Sequence, residues 1–161
     1  MEKSPKNYDV LIIGAGPAGA NAAISYKNLN PKLTVGLVDK AIFPRDKSCG
    51  DAIGPGVISA LKRFNNEHIL DGEPQVVSTT LYGPDNIGIQ NYIPEVKNKE
   101  DSIVYVIPRV DLDNRILNLA KESGVDVYEG YSFVNFTSNE DRSLNVQIKN
   151  GNQNLEFVTK I

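Results

Sequence analysis

Tyr8-Asp9-Val10-Leu11-Ile12-Ile13-Gly14-Ala15-Gly16-Pro17-Ala18-Gly19-Ala20 is the stretch on which the fold turns. Its first half, residues 8–13, is a short, almost continuously apolar run, the pattern of a strand covered on both faces in a parallel sheet. Glycine then recurs at 14, 16 and 19, and small helix-tolerant residues (Ala18, Ala20, Ala22, Ala23) carry a helix from Pro17 to about residue 29. Pro17 falls in the first helical turn, where a missing N–H costs least. Asn30-Pro31 ends the helix, and residues 33–38 form a second apolar strand.

A bare Gly-x-Gly-x-x-Gly spacing is a weak signal, because glycine is common and the pattern short. Context strengthens it. The turn follows a buried strand, opens a helix, and is followed by Asp39 at the end of the second strand, twenty positions after Gly19. In that arrangement Gly14 permits the tight turn, Gly16 admits a pyrophosphate close to the backbone, and Gly19 lets helix and strand pack closely. The helix mouth offers N–H groups and a partial positive charge. Asp39 would accept hydrogen bonds from the ribose; alone it would read as a solvated strand-end carboxylate, and its offset from the glycines reverses that reading. The spacing thus predicts a site for the ADP half of a dinucleotide.

Outward from this unit, residues 41–51 form a charged loop containing Phe43-Pro44-Arg45 and Lys47-Ser48-Cys49-Gly50-Asp51. Val57, Ile58, Leu61 and Phe64 recur at helical spacing behind Gly54-Pro55-Gly56, and 65–74 is a polar connection. Runs at 76–82, 87–93 and 102–107 read as strands of an inserted antiparallel sheet, separated by Gly83-Pro84-Asp85-Asn86 and the charged stretch 94–101. A helix follows Pro108, with Leu112, Ile116, Leu119 and Ala120 on one face and Gly124 just past its end. Residues 125–128 predict a further parallel strand, and 131–137, 144–148 and 155–161 a three-stranded meander.

Composition excludes several classes. A net charge of −3 with dispersed Lys and Arg leaves no basic stripe for counterion release, so nucleic acid is not an expected partner. The single cysteine, Cys49, rules out an internal disulfide framework and suits a reducing compartment. The polar start lacks the apolar core of a secretory signal, and no run of about eighteen apolar residues occurs; the expected setting is the cytoplasm. His68, the one histidine, sits in the polar connection and receives no role.

The run Asp9 to Ala20, then Asp39-Lys40, Phe43-Pro44-Arg45, Lys47-Ser48-Cys49-Gly50-Asp51 and Pro108-Arg109-Val110-Asp111-Leu112-Asp113 together resemble the geranylgeranyl reductase-type flavoproteins, within the wider p-hydroxybenzoate hydroxylase-like FAD superfamily. The resemblance covers nearly the whole chain. It implies an α/β fold: an FAD-binding Rossmann-like domain with a parallel sheet and meander at 1–75 and 108–161, interrupted by a β-sheet segment of the substrate domain at 76–107. It implies FAD as cofactor, with NADPH as reductant, and a small-molecule or lipid (isoprenoid) substrate whose carbon–carbon double bonds are reduced. In the full-length protein it leaves room for peripheral contact with a membrane. A flavin-dependent aromatic monooxygenase or halogenase on the same scaffold, and a non-catalytic dinucleotide-binding module, are the alternatives. A direct nicotinamide dehydrogenase fits less well, since the strands between the helices do not repeat the βαβ unit.

By the same resemblance, the turn residues Gly14, Ala15, Gly16, Pro17, Ala18 and Gly19, with Asp39 and Lys40, hold the cofactor, while the segment Lys47 to Asp51, with Cys49 and Gly50 in it, lies against the flavin ring region. Two readings of Cys49 stand: a small soft side chain beside the ring or substrate, or an ordinary buried small residue. Asp51 either touches substrate or caps the following helix. Arg109, a cation in the first turn of a helix, opposes the macrodipole and asks for an anion; Asp111 or Asp113 could supply it, or, as in the family, FAD. Arg45 and Lys47 either meet a phosphate or are solvated loop cations. Members of the superfamily continue past the meander with a Gly-Ala-Asp-Gly-like turn and a Gly-Asp-Ala segment. Neither occurs here, so the chain reads as the N-terminal portion of a protein at least twice as long, binding FAD poorly alone and turning over nothing.

Overall fold

The computed structural model describes residues 5–92 and 104–160. These fall into two compact units, Met1–Asp46 with Asp113–Ile161, and Lys47–Leu112.

The first unit contains the predicted βαβ. Strand β2 (Val10–Ile13) leads through the glycine turn into α1 (Pro17–Leu29), and β3 (Val35–Asp39) returns parallel to β2, Val10 opposite Val35 and Ile13 opposite Val38. Strand β8 (Asp126–Glu129) pairs parallel on the other side of β3, giving the order β2-β3-β8. Val35, Leu37 and Val38 are almost wholly buried, as a central parallel strand requires; each such side chain contributes about 1.5–3 kcal/mol relative to exposure.

The first predicted strand is in fact two. Strand β1 (Lys6–Tyr8) breaks from β2 at Asp9 and joins a different sheet, pairing parallel with the last strand, β11 (Gln153–Thr159). The break has a physical cause. Asp9 turns aside to accept from Thr34 N (3.0 Å) and Thr34 Oγ1 (2.9 Å) and to pair with Lys160 (3.2 Å). These partners hold its carboxyl down at about 2. The meander itself is as the turn residues predict: β9 (Ser132–Ser138), β10 (Leu144–Asn150) and β11 (Gln153–Thr159), antiparallel in succession.

The two sheets of this unit meet over a core of Tyr8, Val38, Val146, Ile148 and Phe157, with Leu11, Tyr128, Tyr131, Leu144 and Leu155 around it. Tyr8 stands edge-on to both Tyr128 (6.4 Å) and Phe157 (5.5 Å). Its hydroxyl shares a 2.6 Å hydrogen bond with that of Tyr128 and donates to Asp126 (3.0 Å). Burial, with these partners, pushes the Tyr8 phenol well above its ordinary range.

In the second unit the short strand β4 (Ala52–Ile53) precedes α2 (Pro55–Arg63). The connection expected to be simply polar holds a 3₁₀ turn, Glu67–Leu70, because Ile69 and Leu70 are buried. Strands β5 (Ser78–Tyr82) and β6 (Gly88–Tyr92) form the expected hairpin. The third predicted strand does not extend that hairpin: β7 (Tyr105–Val106) pairs antiparallel with β4, and it meets the first predicted run only at its start, where Gln75 bridges Tyr105 and Val76 N donates to the Val104 carbonyl (2.8 Å). Its neighbour Ile107, fully buried, donates its N–H to the Asp51 carbonyl (2.9 Å), which carries the strand to the 52–53 segment. Ile93 at the end of the second predicted strand, the stretch 94–101 and the first two residues of the third predicted strand lie outside the described residues. Helix α3 (Arg109–Glu122) has Leu112, Ile116, Leu119 and Ala120 buried as the periodicity predicts, and Gly124 follows at φ +81°. Among the described residues no helix is long and apolar enough to cross a membrane.

Candidate nucleotide site

The glycine turn is shaped by two positions. Gly14 takes φ +105°, a conformation that favours glycine, and its N–H donates to the Val38 carbonyl at 2.7 Å, tying the turn to the end of β3. At Gly19 a Cβ would collide with the carbonyl oxygen of Gly14 and reach Ile12 Cγ2 at 3.3 Å, so helix and strand approach as closely as they do only because that position has no side chain. Helix α1 starts at Pro17 with Gly16 as its cap residue; no side chain caps it, and its first turn carries no acid.

Asp39 faces this turn. Its Oδ2 accepts from Ala15 N at 2.7 Å and its Oδ1 from Ala41 N at 2.8 Å, so one carboxylate spans the glycine turn and the loop leaving β3. The Ala15 amide is thereby engaged, and Ala15 itself is fully buried. A cavity of about 310 Å³ opens beside Asp39, lined by Ile13, Gly14, Lys40, Tyr131, Ser132 and Phe133 among others. Lys40 is exposed at its rim.

Arg45 is the residue whose place the sequence left open. It is not a solvated loop cation. Its Nη2 lies 3.3 Å from Asp113 Oδ2, and Asp113 is completely buried. The guanidinium carbon sits 4.9 Å from the centre of the Phe43 ring, and Nη2 lies 3.4 Å from where a Cβ on Gly16 would be. The loop is held in this course by backbone and side-chain contacts: Phe43 N donates to Glu129 Oε2 (2.6 Å), and Gly130 N to the Ala41 carbonyl (3.0 Å). A cation is thus fixed beside the uncapped helix mouth.

The remaining sequence candidates lie in the second unit. Lys47, Cys49 and Gly50 are exposed on the loop before β4. Cys49 is exposed, which removes the reading of it as a buried small residue. Hydrogen bonds from the Asp51 backbone and the Arg109 side chain, with the Arg109 charge, lower its thiol below the ordinary range. Asp51 does cap a helix, but not the next one. At φ +56° it turns its Oδ1 to the Arg109 N–H (3.2 Å), at the start of α3, while α2 begins at Gly54 without a side-chain cap. Asp113 pairs with Arg45. His68 is exposed, and no metal-binding cluster occurs among the described residues.

A consequence can be measured. Cys49 is expected to be alkylated by iodoacetamide at pH 7 faster than an unperturbed thiol, and Arg109→Met to slow it towards the ordinary rate, because the thiolate is the nucleophile. Equal rates in both proteins would show that Arg109 does not act on the sulfur.

No protein-family model matches the chain. A menaquinone reductase of Mycolicibacterium smegmatis is 33% identical over 129 residues, covering 80% of this chain and 30% of that protein. A digeranylgeranylglycerophospholipid reductase of Picrophilus torridus is 26% identical over 157 residues, 96% of this chain and 38% of that one. The solved structure of p-nitrophenol 4-monooxygenase PnpA from Pseudomonas putida superposes with a TM-score of 0.82 at 12% identity, covering 98% of this chain and 40% of that one. Flavin-dependent halogenases also occur among both the relatives and the structural neighbours. The chain spans about a third of the length of the curated relatives it matches. FAD- and flavin-dependent enzymes recur among its relatives and structural neighbours, beside a geranylgeranyl bacteriochlorophyll reductase-like protein of Thermoplasma acidophilum, and its fold is that of their Rossmann-like FAD-binding region.

Proposed function

We propose that this chain, kin to FAD-dependent oxidoreductases, holds the ADP half of FAD in its first unit and serves a reductase of isoprenoid carbon–carbon double bonds that draws electrons from NADPH. The observation that carries the cofactor reading is the uncapped mouth of α1 with Asp39 across from it. The fit is good on the backbone alone: around the Cβ position of Gly14 there is no atom within 4 Å, and around that of Gly16 only Arg45 comes near. Because Ala15 N–H serves Asp39, the amides of Gly16, Ala18 and Gly19 are the donors left for the pyrophosphate, reinforced by the helix dipole. Asp39, with two oxygens and one amide on each, keeps lone pairs for the ribose hydroxyls. The cavity beside it, with Lys40, Tyr131 and Phe133, takes the adenosine end.

FAD supplies the hydride-transferring centre when bound, and the protein supplies position and a dry surround. In the second unit Lys47, Cys49 and Gly50 serve the flavin-ring end, with Arg109 holding the loop through Cys49 and Asp51 fixing the start of α3. The reductase reading rests on the isoprenoid- and quinone-named relatives. A monooxygenase or halogenase is the second reading, favoured by neighbours equally near in fold. The complete reading frame that contains this chain separates them. With NADPH and a polyprenyl substrate under argon, saturation of a double bond is expected; turnover that requires oxygen and yields hydroxylated or halogenated product would replace the reductase reading.

A further inference from the structure

The geometry points to Asp113 as a positioning residue that acts through Arg45 to hold a guanidinium on the diphosphate of the bound nucleotide. The inference rests on reading the α1 mouth as a diphosphate site and goes one residue deeper. Asp113 is a fully buried carboxylate on α3, 68 positions along the chain from its partner Arg45. A buried ion pair is poor value as a stabilising device, since removing two charges from water costs about as much as their attraction returns, and apolar residues of similar volume usually do as well. What the pair does accomplish here is immobilisation. The carboxylate fixes Nη2, the Phe43 ring lies under the guanidinium, and the whole group stays 22% exposed, beside Gly16. An arginine fixed in this way has given up its rotamer freedom before a phosphate arrives, and its planar fork retains N–H donors beyond the one facing Asp113.

Two effects of Asp113 on an anion oppose each other. Its negative charge weakens the attraction of the site for a diphosphate, while its anchoring makes the charge-assisted hydrogen bonds from Arg45 cheaper to form. Directed N–H···O⁻ bonds depend steeply on geometry, whereas the repulsion acts through the intervening guanidinium that neutralises it; anchoring should win.

The test uses the 161-residue chain, with ADP and adenosine as probes in parallel titrations. Asp113→Asn is expected to weaken ADP roughly tenfold and leave adenosine unchanged, so that the ratio of the two affinities falls; Asp113→Glu should restore part of it. Unchanged or tighter ADP binding in Asp113→Asn, or a parallel loss of both probes, overturns the inference while the diphosphate site stands. Wild-type chain that binds no ADP overturns the site itself, and this inference with it. If Asp113→Asn does not fold, Arg45→Lys carries the test. It keeps the charge without the fork, and must also lose ADP selectively; ADP affinity equal to wild type refutes the role.

Discussion

Gly19→Ala is expected to unfold the nucleotide turn. The added methyl group meets main-chain atoms, the Gly14 carbonyl oxygen above all and its carbon at 3.0 Å, so no side chain can swing away to make room. Either α1 lifts from β2 or the turn opens, and overpacking of this kind costs about 1–3 kcal/mol. Because Gly14 also ties the turn to Val38 through its N–H, the displacement reaches the end of β3, where Asp39 stands. The expected result is a lower urea midpoint and no measurable ADP binding. Gly16→Ala is the control. There the nearest atom is the terminal nitrogen of Arg45 at 3.4 Å, so stability should stay within about 0.5 kcal/mol of wild type while ADP, which needs that space, is lost. A Gly19→Ala protein as stable as wild type would mean that helix and strand are not in the contact described.

Asp39→Ala is the second large effect, and it acts without any ligand. The substitution removes the acceptor for Ala15 N, an amide on a fully buried residue, and for Ala41 N. An orphaned buried donor costs about 1–3 kcal/mol, and bonds to a charged group sit at the upper end of that range. A loss of about 2 kcal/mol or more in the unfolding free energy is expected, with adenosine binding gone as well. Asp39→Asn should fall between, since its amide retains one oxygen and turns a donor towards one of the two N–H groups. Stability unchanged in Asp39→Ala would show that the carboxylate faces solvent and does not bridge the two loops.

Much of this was legible in the residues themselves. The glycine spacing, Pro17 and the two apolar runs specify strand, turn, helix and strand because each depends on neighbours within a few positions. The meander was legible for the same reason: Asn150-Gly151 and the 138–141 cluster are local turn formers. What escaped sequence reading is long-range. Nothing near Arg45 announces Asp113, and nothing near Asp51 announces that its carboxylate caps a helix beginning at residue 109. The split of the first strand escaped because the apolar pattern runs across Asp9, whose partners Thr34 and Lys160 lie 25 and 151 positions away. The pairing of β7 with β4 escaped because a two-residue strand has too little alternation to declare its partner.

Backbone amide chemical shifts of the chain, followed while ADP is added to millimolar concentration, test the central claim most directly. Saturable shifts are expected at Gly14, Gly16, Ala18, Gly19 and Ala41, with the β10–β11 turn at Asn150 and Gly151 unmoved. Saturation without movement at the glycine turn, or no saturable change at all, would contradict the assignment of a nucleotide to the mouth of α1.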